Sequence, residues 1–225
     1  MSIPFAIIRK ESFEIENIEG LLFGTAGLLE ADNEDNYPKD LKFRYYYLLH
    51  KYQLEKKNLP PLQFFKHRPD NFPTIRLSQL AQLYHSHQNL FSKIQQLKSI
   101  KSVYQLLQIN ASTYWQDHYQ FDKPSPKKAK KLSKGFIDLL IINTIIPLQF
   151  AYTKSLGQEI SESLIELLSE VLPEKNSIID KFSSQGIKAQ NAFETQSLIQ
   201  LKNEYCAKQR CLDCAIGIEL LKNIT

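Results

Sequence analysis

Apolar residues along most of this chain recur every three to four positions and seldom alternate, which is the spacing of helices with one buried face. The pattern predicts a first helix over Asn17–Ala31. Gly20, Gly24 and Gly27 fall on one stripe of it. Each glycine costs a helix roughly 1 kcal/mol relative to alanine, so the stripe implies close contact with another helix. A membrane glycine motif is the rival reading, opposed by the shortness of the segment and by Glu30, Asp32, Glu34 and Asp35 behind it. Pro38 is expected to open a second helix that runs to about Glu55, with Leu41, Tyr45, Leu48, Leu49 and Tyr52 as its apolar stripe.

A proline-marked loop follows over Asn58–Pro73. Beyond it a third helix has Leu77, Leu80, Ala81 and Tyr84 as its inner face. Short helices are predicted at Val103–Ile109 and at Thr113–Tyr119, the latter capped by Ser112. Residues 122–134 change character, with two prolines and then five lysines in eight positions, and read as a linker or subdomain boundary. Further helices are expected near Lys134–Thr153, Glu159–Leu172, Lys175–Ser184 and Ala189–Lys208, with a last short one after Cys214. Gly157, Pro173 and Gly186 punctuate them. No alternating run is long enough to propose a sheet. The fold class is therefore all-α, an irregular bundle of about seven to nine helices. Residues 1–225 form a single helical domain in this reading, with lobes 1–121 and 135–225 as the subdivision to look for.

Composition narrows the class further. At 225 residues, 43% hydrophobic and 23% charged, the chain has enough apolar side chains for a core and too many for bulk disorder. The net charge of +4 is mildly basic, short of a dedicated DNA-binding arm. The first ten residues lack the basic region and apolar stretch of a signal peptide. The most apolar segment, Phe136–Tyr152, holds Asp138, Asn143, Thr144, Pro147 and Gln149, so a buried core helix is expected and a membrane partner is not. Three cysteines with no export signal point to a reducing cytoplasm.

Candidate chemistry is sparse. Cys206, Cys211 and Cys214 lie within nine residues and are the only cysteines in the chain. The C-x2-C pair has the spacing of a metal knuckle, with zinc ahead of an iron–sulfur cluster as cofactor. The fourth ligand would come from a distant histidine or from a partner. Reduced, packed thiols and a transient redox pair are the other readings. Lys202, Lys208 and Arg210 would support thiolates there. In the loop 67–76, Arg68 and Arg76 flank a helix start that Thr74 is placed to cap, a geometry suited to phosphate or carboxylate. The plainer reading pairs Asp70 with one of those arginines to pin the loop. Lys127, Lys128, Lys130, Lys131 and Lys134 are spaced to follow a phosphate backbone. A solvated linker is the commoner meaning of such a run, and no aromatic residue interleaves with it to offer base stacking. Asn143, four residues before Pro147, reads as a polar kink inside a core. Asp117 with His118, and His85 with His87, would splay apart on helices and make poor catalytic or metal pairs.

Five stretches together carry a resemblance: EGLLFGTAGLLE at 19–30, RPDNFPTIRLSQLA at 68–81, YWQDHYQF at 114–121, IINTIIPLQFAY at 141–152 and LIQLKNEYCAKQRCLDCAIG at 198–217. Through them the chain resembles an uncharacterised bacterial family, domain of unknown function 2851, found mainly in Bacteroidetes. Members of that family are usually longer. Their N-terminal half carries acidic and histidine-bearing motifs similar to nuclease-type cores. The resemblance implies that this chain is the helical C-terminal half, without those acidic residues. The cysteine segment is also similar to a shortened iron–sulfur loop of helical base-excision glycosylases. It lacks the closing cysteine, and no glycosylase catalytic aspartate motif accompanies it.

Three functions follow as expectations. The leading one is a non-catalytic helical module that binds nucleic acid or positions a nuclease-like half. The second is a scaffold whose apolar face docks a partner domain or chain, with the glycine-striped helix as the contact. The third is a metal- or redox-active module built on the cysteines.

Overall fold

In the computed structural model, residues 3–56, 59–60, 62–159 and 162–222 are described. The protein is all-α, 61% helical with one short two-stranded sheet. The chain divides into two compact units, Met1–Lys93 with Gln105–Ser133, and Ile94–Tyr104 with Lys134–Thr225.

The first unit is built on α1 (Phe5–Lys10), α2 (Ile15–Thr25), α3 (Asn36–Lys51) and α4 (Pro73–Ser86). Helix α2 lies in the middle, with every residue from Ile18 to Thr25 buried. Its glycines permit this. A Cβ on Gly24 would sit 2.2 Å from the Tyr45 ring of α3, and one on Gly20 would sit 3.1 Å from the Leu41 carbonyl. Gly20 and Gly24 are thus spent on a contact inside the unit, which corrects the expectation that the glycine stripe is a contact for a partner. Gly27 has a different task. Helix α2 ends at Thr25, and Gly27 takes φ +73 just beyond. There the Gly27 and Leu28 N–H groups donate to the Gly24 and Phe23 carbonyls, the paired bonds of a Schellman cap. That cap stops the helix six residues short of the predicted Ala31.

Helix α3 buries Leu41, Tyr45 and Leu48, with Leu49 and Tyr52 packed at the margin. It begins at Asn36, two residues before the expected Pro38. Helix α4 starts at Pro73 behind an extended Phe72, as a residue before proline requires. Asn58, where the preceding loop was expected to begin, lies outside the described residues. Two short helices, α5 (Leu90–Gln95) and α6 (Ile100–Leu106), come next along the chain.

One carboxylate sits at the centre of the first unit. Glu19 of α2 is fully buried and accepts from the hydroxyls of Tyr37 (2.6 Å) and Ser78 (2.6 Å). The Ser112 N–H donates to Ser78 Oγ (2.9 Å), and Ser112 Oγ lies 3.3 Å from Tyr37 Oη. Four separate segments meet there. Trp115 stacks on Phe23 at 5.4 Å beside them.

After Ser112 the expected helix Thr113–Tyr119 is only one 3-10 turn, Thr113–Gln116. Ser112 does not cap it, being engaged with Ser78. The chain then forms a hairpin of β1 (His118–Gln120) and β2 (Lys123–Pro124), strands too short to show alternation in sequence. The stretch 122–134 is therefore no free tether. Main-chain bonds tie Ser125 to Asp117, Lys128 to Gln116, Lys130 to Ala111 and Leu132 to Ile109.

The second unit includes a long apolar helix, α7 (Lys134–Leu140) and α8 (Ile146–Ser155) joined by a π-turn at Ile141–Ile145. The wider turn absorbs the amide that Pro147 lacks. The polar kink expected inside a core lies on the outside instead, because Asn143 and Thr144 are exposed and Asn143 Nδ2 donates back to the Leu139 carbonyl. Lys134–Ser155 is 22 residues long and contains an 18-residue window of mean hydropathy 1.5, long and apolar enough by composition to cross a membrane, and 33% of that window is buried. One face packs through Ile137, Ile141, Ile142 and Ile145, while Leu139 and Phe150 are exposed. The expectation of a wholly buried core helix was too strong. Helices α9 (Glu162–Ser169), α10 (Ser177–Ser184) and α11 (Ala192–Gln200) follow, then α12 (Ala215–Lys222). Positions 160–161 of the expected helix Glu159–Leu172 lie outside the described residues. Asn176 and Asn191 cap α10 and α11 by accepting from helix N–H groups, which places both starts a few residues beyond those predicted.

Gly24→Ala is expected to lose about 1–3 kcal/mol of stability through overpacking against Tyr45. Gly135→Ala, with nothing within 4 Å of its Cβ, should be neutral or stabilising. Urea unfolding of the two variants checks the contrast. Burial raises the Glu19 carboxyl above its usual value, outweighing the Ser78 and Tyr37 hydrogen bonds that lower it. The folded state therefore holds that proton more tightly than the unfolded chain. Stability from Glu19 is full below the unfolded carboxylate value and is lost as pH rises through the folded one. Unfolding free energies across the acid-to-neutral range should show Glu19→Gln lacking that decline. Parallel pH slopes for the two proteins would refute the assignment.

Candidate functional site

Polar chemistry concentrates in the first unit where the loop before α4 meets the hairpin and the lysine run. The loop opens with a tight turn. The His67 N–H donates to the Phe64 carbonyl (3.3 Å), and Lys66 takes φ +65, the value a type II turn needs at its third position. Phe65 and Lys66 thus form the tip. Phe64, beside the tip, turns its ring edge-on to Phe72 at 5.1 Å, and Phe72 meets Tyr119 of β1 at 6.4 Å. Next comes a 3-10 turn, Pro69–Asn71, with Arg68 just ahead of it and exposed.

Asp70 closes this loop onto the second basic segment. Its carboxylate accepts from Lys128 Nζ (2.8 Å) and from the Tyr119 hydroxyl (2.9 Å). Thr74 Oγ1 adds a bond to the Tyr119 carbonyl (2.6 Å), so Thr74 fastens the loop to β1 and does not cap α4. The Lys128 ammonium, and then Tyr119, hold Asp70 below the usual carboxylate range against the opposing effect of burial. Asp70 in turn raises Lys128. The local pattern of the loop suggests an arginine as the partner of Asp70. The partner is instead a lysine 58 residues away.

The lysine run divides. Lys127, Lys128 and Lys131 are exposed, whereas Lys130 is 3% exposed. The Lys130 ammonium donates to the Gln116 carbonyl (2.7 Å) and sits 4.2 Å over the Tyr119 ring. Burial lowers its pKa, and Asp117 and Asp70 partly offset that. Lys130 is thus an internal brace, not a phosphate ligand, because a buried ammonium keeps its charge only while such partners surround it. Arg76 has a similar role. It is half-buried and donates to Gln79 Oε1 (2.8 Å) and to Asn71 Oδ1, bracing the loop from within. The exposed cations of the stretches 64–70 and 127–131 are Lys66, Arg68, Lys127, Lys128 and Lys131, while Lys134, the last of the run, is exposed at the start of α7 in the second unit. Asp70 is the one acidic residue in the two stretches 64–70 and 127–131.

Sequence reasoning missed Lys66, Phe65 and Tyr119. A signal for the first two was present in FFKHR at 64–68, two aromatics running into three basic side chains. Nothing in the sequence pointed to Tyr119.

The cysteines do not assemble. Cys206 and Cys211 are exposed and Cys214 is buried. Among the described residues no group of three or more His, Cys, Asp or Glu side chains is placed to hold a metal ion. Cys206 ends a π-turn, Leu201–Cys206, and Gln209 at φ +53 reverses the chain before Cys211. The nearby cations are engaged elsewhere, Lys208 with Glu204 and Arg210 with Asp213. Gly217 of α12 lies so near the turn that a Cβ would meet the Cys211 carbonyl at 2.3 Å. The segment is a packed turn with one buried thiol.

Histidines were expected to diverge, and His85 and His87 do, to the Ser12 and Leu106 carbonyls. Asp117 and His118 do not. Because they lie at the start of the hairpin and not on a helix, His118 Nδ1 is 2.7 Å from Asp117 Oδ1, while Nε2 is 3.6 Å from Asp35. His118 also stacks on Tyr114 at 4.1 Å. The group ties the hairpin to the start of α3, where Asp122 accepts from the Glu34 and Asp35 N–H groups at 2.9 Å each.

Comparison with curated proteins and with solved structures finds no match. One family model does match, over residues 1–177, a span that contains α1 to α9, the Glu19 centre and the whole basic surface. The chain belongs to that family, described as protein of unknown function (DUF2851).

Proposed function

We propose that this chain is a non-catalytic helical module that binds nucleic acid by its phosphate backbone. The observation that carries the reading is the Asp70 clasp, which joins two basic stretches far apart in sequence into one surface. Lys66 and Arg68 contribute from the loop, and Lys127, Lys128 and Lys131 from the run. Both stretches are fixed by main-chain bonds, so little ordering entropy is lost when an anion binds. The net charge of +4 makes this a modest, salt-sensitive binder. Such a module would hold a strand for a nuclease-like partner half of the kind the family resemblance implies.

A second reading, docking of a protein partner, draws on the end of the second unit. Helix α12 buries none of its residues, and Leu212 before it is 76% exposed. Light scattering on the purified chain separates the two readings, since an exposed apolar end that needs a partner promotes self-association.

Binding of labelled DNA and RNA oligonucleotides, followed by anisotropy at several salt concentrations, tests the leading proposal. Affinity should fall linearly in log–log form with salt. The combined variant Arg68→Ala/Lys127→Ala/Lys131→Ala should weaken binding uniformly across sequences. It should also lower the slope by about 0.7–0.9 for each phosphate that is no longer neutralised. Absence of binding at low salt ends the proposal.

A further inference from the structure

We infer that the nucleic acid held at this surface is single-stranded, with Phe65 as a stacking platform for one base. The inference rests on the preceding reading of the basic surface and adds the substrate class. Phe65 is 76% exposed, although its neighbour Phe64 is packed against Phe72. A phenylalanine left in water at a turn tip contributes nothing to the core. The turn that presents it is held on both sides. The His67-to-Phe64 bond closes it, and the Phe64–Phe72–Tyr119 chain of rings anchors its base. Lys66 Nζ lies 5.3 Å over one face of the Phe65 ring, so a cation for the adjoining phosphate is held at the platform and a base would stack on the opposite face. Arg68 follows, and the Asp70 clasp brings Lys128 against the same loop, with Lys127 and Lys131 exposed on the same short stretch of chain.

An aromatic face interleaved with backbone cations is the arrangement that holds unpaired bases, because every base has a π-face and only an unstacked one can offer it. Duplex readers instead place basic side chains along a helix or ribbon that enters a groove. None of Lys66, Arg68, Lys127, Lys128 or Lys131 lies on a helix here. The charge run alone lacked an aromatic, and the fold supplies one from a loop some sixty residues earlier.

The test compares a labelled thymidine 20-mer, the matching duplex and heparin as competitor, using the full chain, Phe65→Ala and Phe65→Trp. Thermal melts should be unchanged, since the ring is outside the core. The single strand is expected to bind more tightly than the duplex. Phe65→Ala should weaken it about 10-fold with an unchanged salt slope. Phe65→Trp should retain binding, with its added fluorescence quenched by the strand. Equal affinity for strand and duplex with no effect of Phe65→Ala overturns the inference. In that outcome the basic surface still stands if the Arg68/Lys127/Lys131 variant weakens both. Displacement by heparin as efficient per charge as by the strand marks a general polyanion site and also overturns it. No binding of either nucleic acid removes the underlying reading itself.

Discussion

A carboxylate enclosed in an apolar core must be satisfied or neutral, and the first unit is organised around that demand. Glu19 draws Tyr37 of α3, Ser78 of α4 and Ser112 into one network, so three helices and the segment before the hairpin share a single register. The hairpin leaves from that point. Ser112 leads through the turn holding Trp115 to Tyr119, and Tyr119 and Lys128 are the two partners of Asp70. The basic surface thus inherits its position from a group buried inside the unit. Gly24 supports the same arrangement, because only a residue without a side chain lets α2 approach the Tyr45 ring closely enough.

The helices were legible because each buries a stripe whose spacing is local. Leu41, Tyr45 and Leu48 were read correctly as an inner face for that reason. Boundaries failed where the deciding partner was remote or was a cap. Gly27 was read as the third residue of a stripe, yet its positive φ ends the helix. The Thr113–Tyr119 helix gave way to a hairpin because Asp122 and Tyr114 each bond to Asp35 across nearly eighty residues or more. No window of sequence contains those pairs.

The site was legible as charge and illegible as geometry. Arg68 and the lysine run stood out by composition. That Lys130 points inward could not be read, since its partners, Gln116 and Tyr119, come from a segment predicted to be helical. The same misreading separated Asp117 from His118. The cysteine triad shows the opposite failure. Close spacing in sequence invited a common ligand, but a π-turn and a left-handed residue put one sulfur inside and two outside. Glu19 was not legible at all, since Glu16 stands in the same helix and nothing local separates the buried carboxylate from its neighbour.

The clasp at Asp70 also explains how a surface of like charges is held together without a ligand. Two unit charges of one sign about 8 Å apart in water repel by about 0.5 kcal/mol, and several such pairs would drive two basic stretches apart. One carboxylate between them offsets much of that repulsion while neutralising only a single lysine. The remaining cations keep their charge and their exposure. The clasp needs Asp70 ionised, and its depressed pKa keeps it so well below neutrality. The geometry of this surface is thus set by a single ion pair on the outside and a buried carboxyl within.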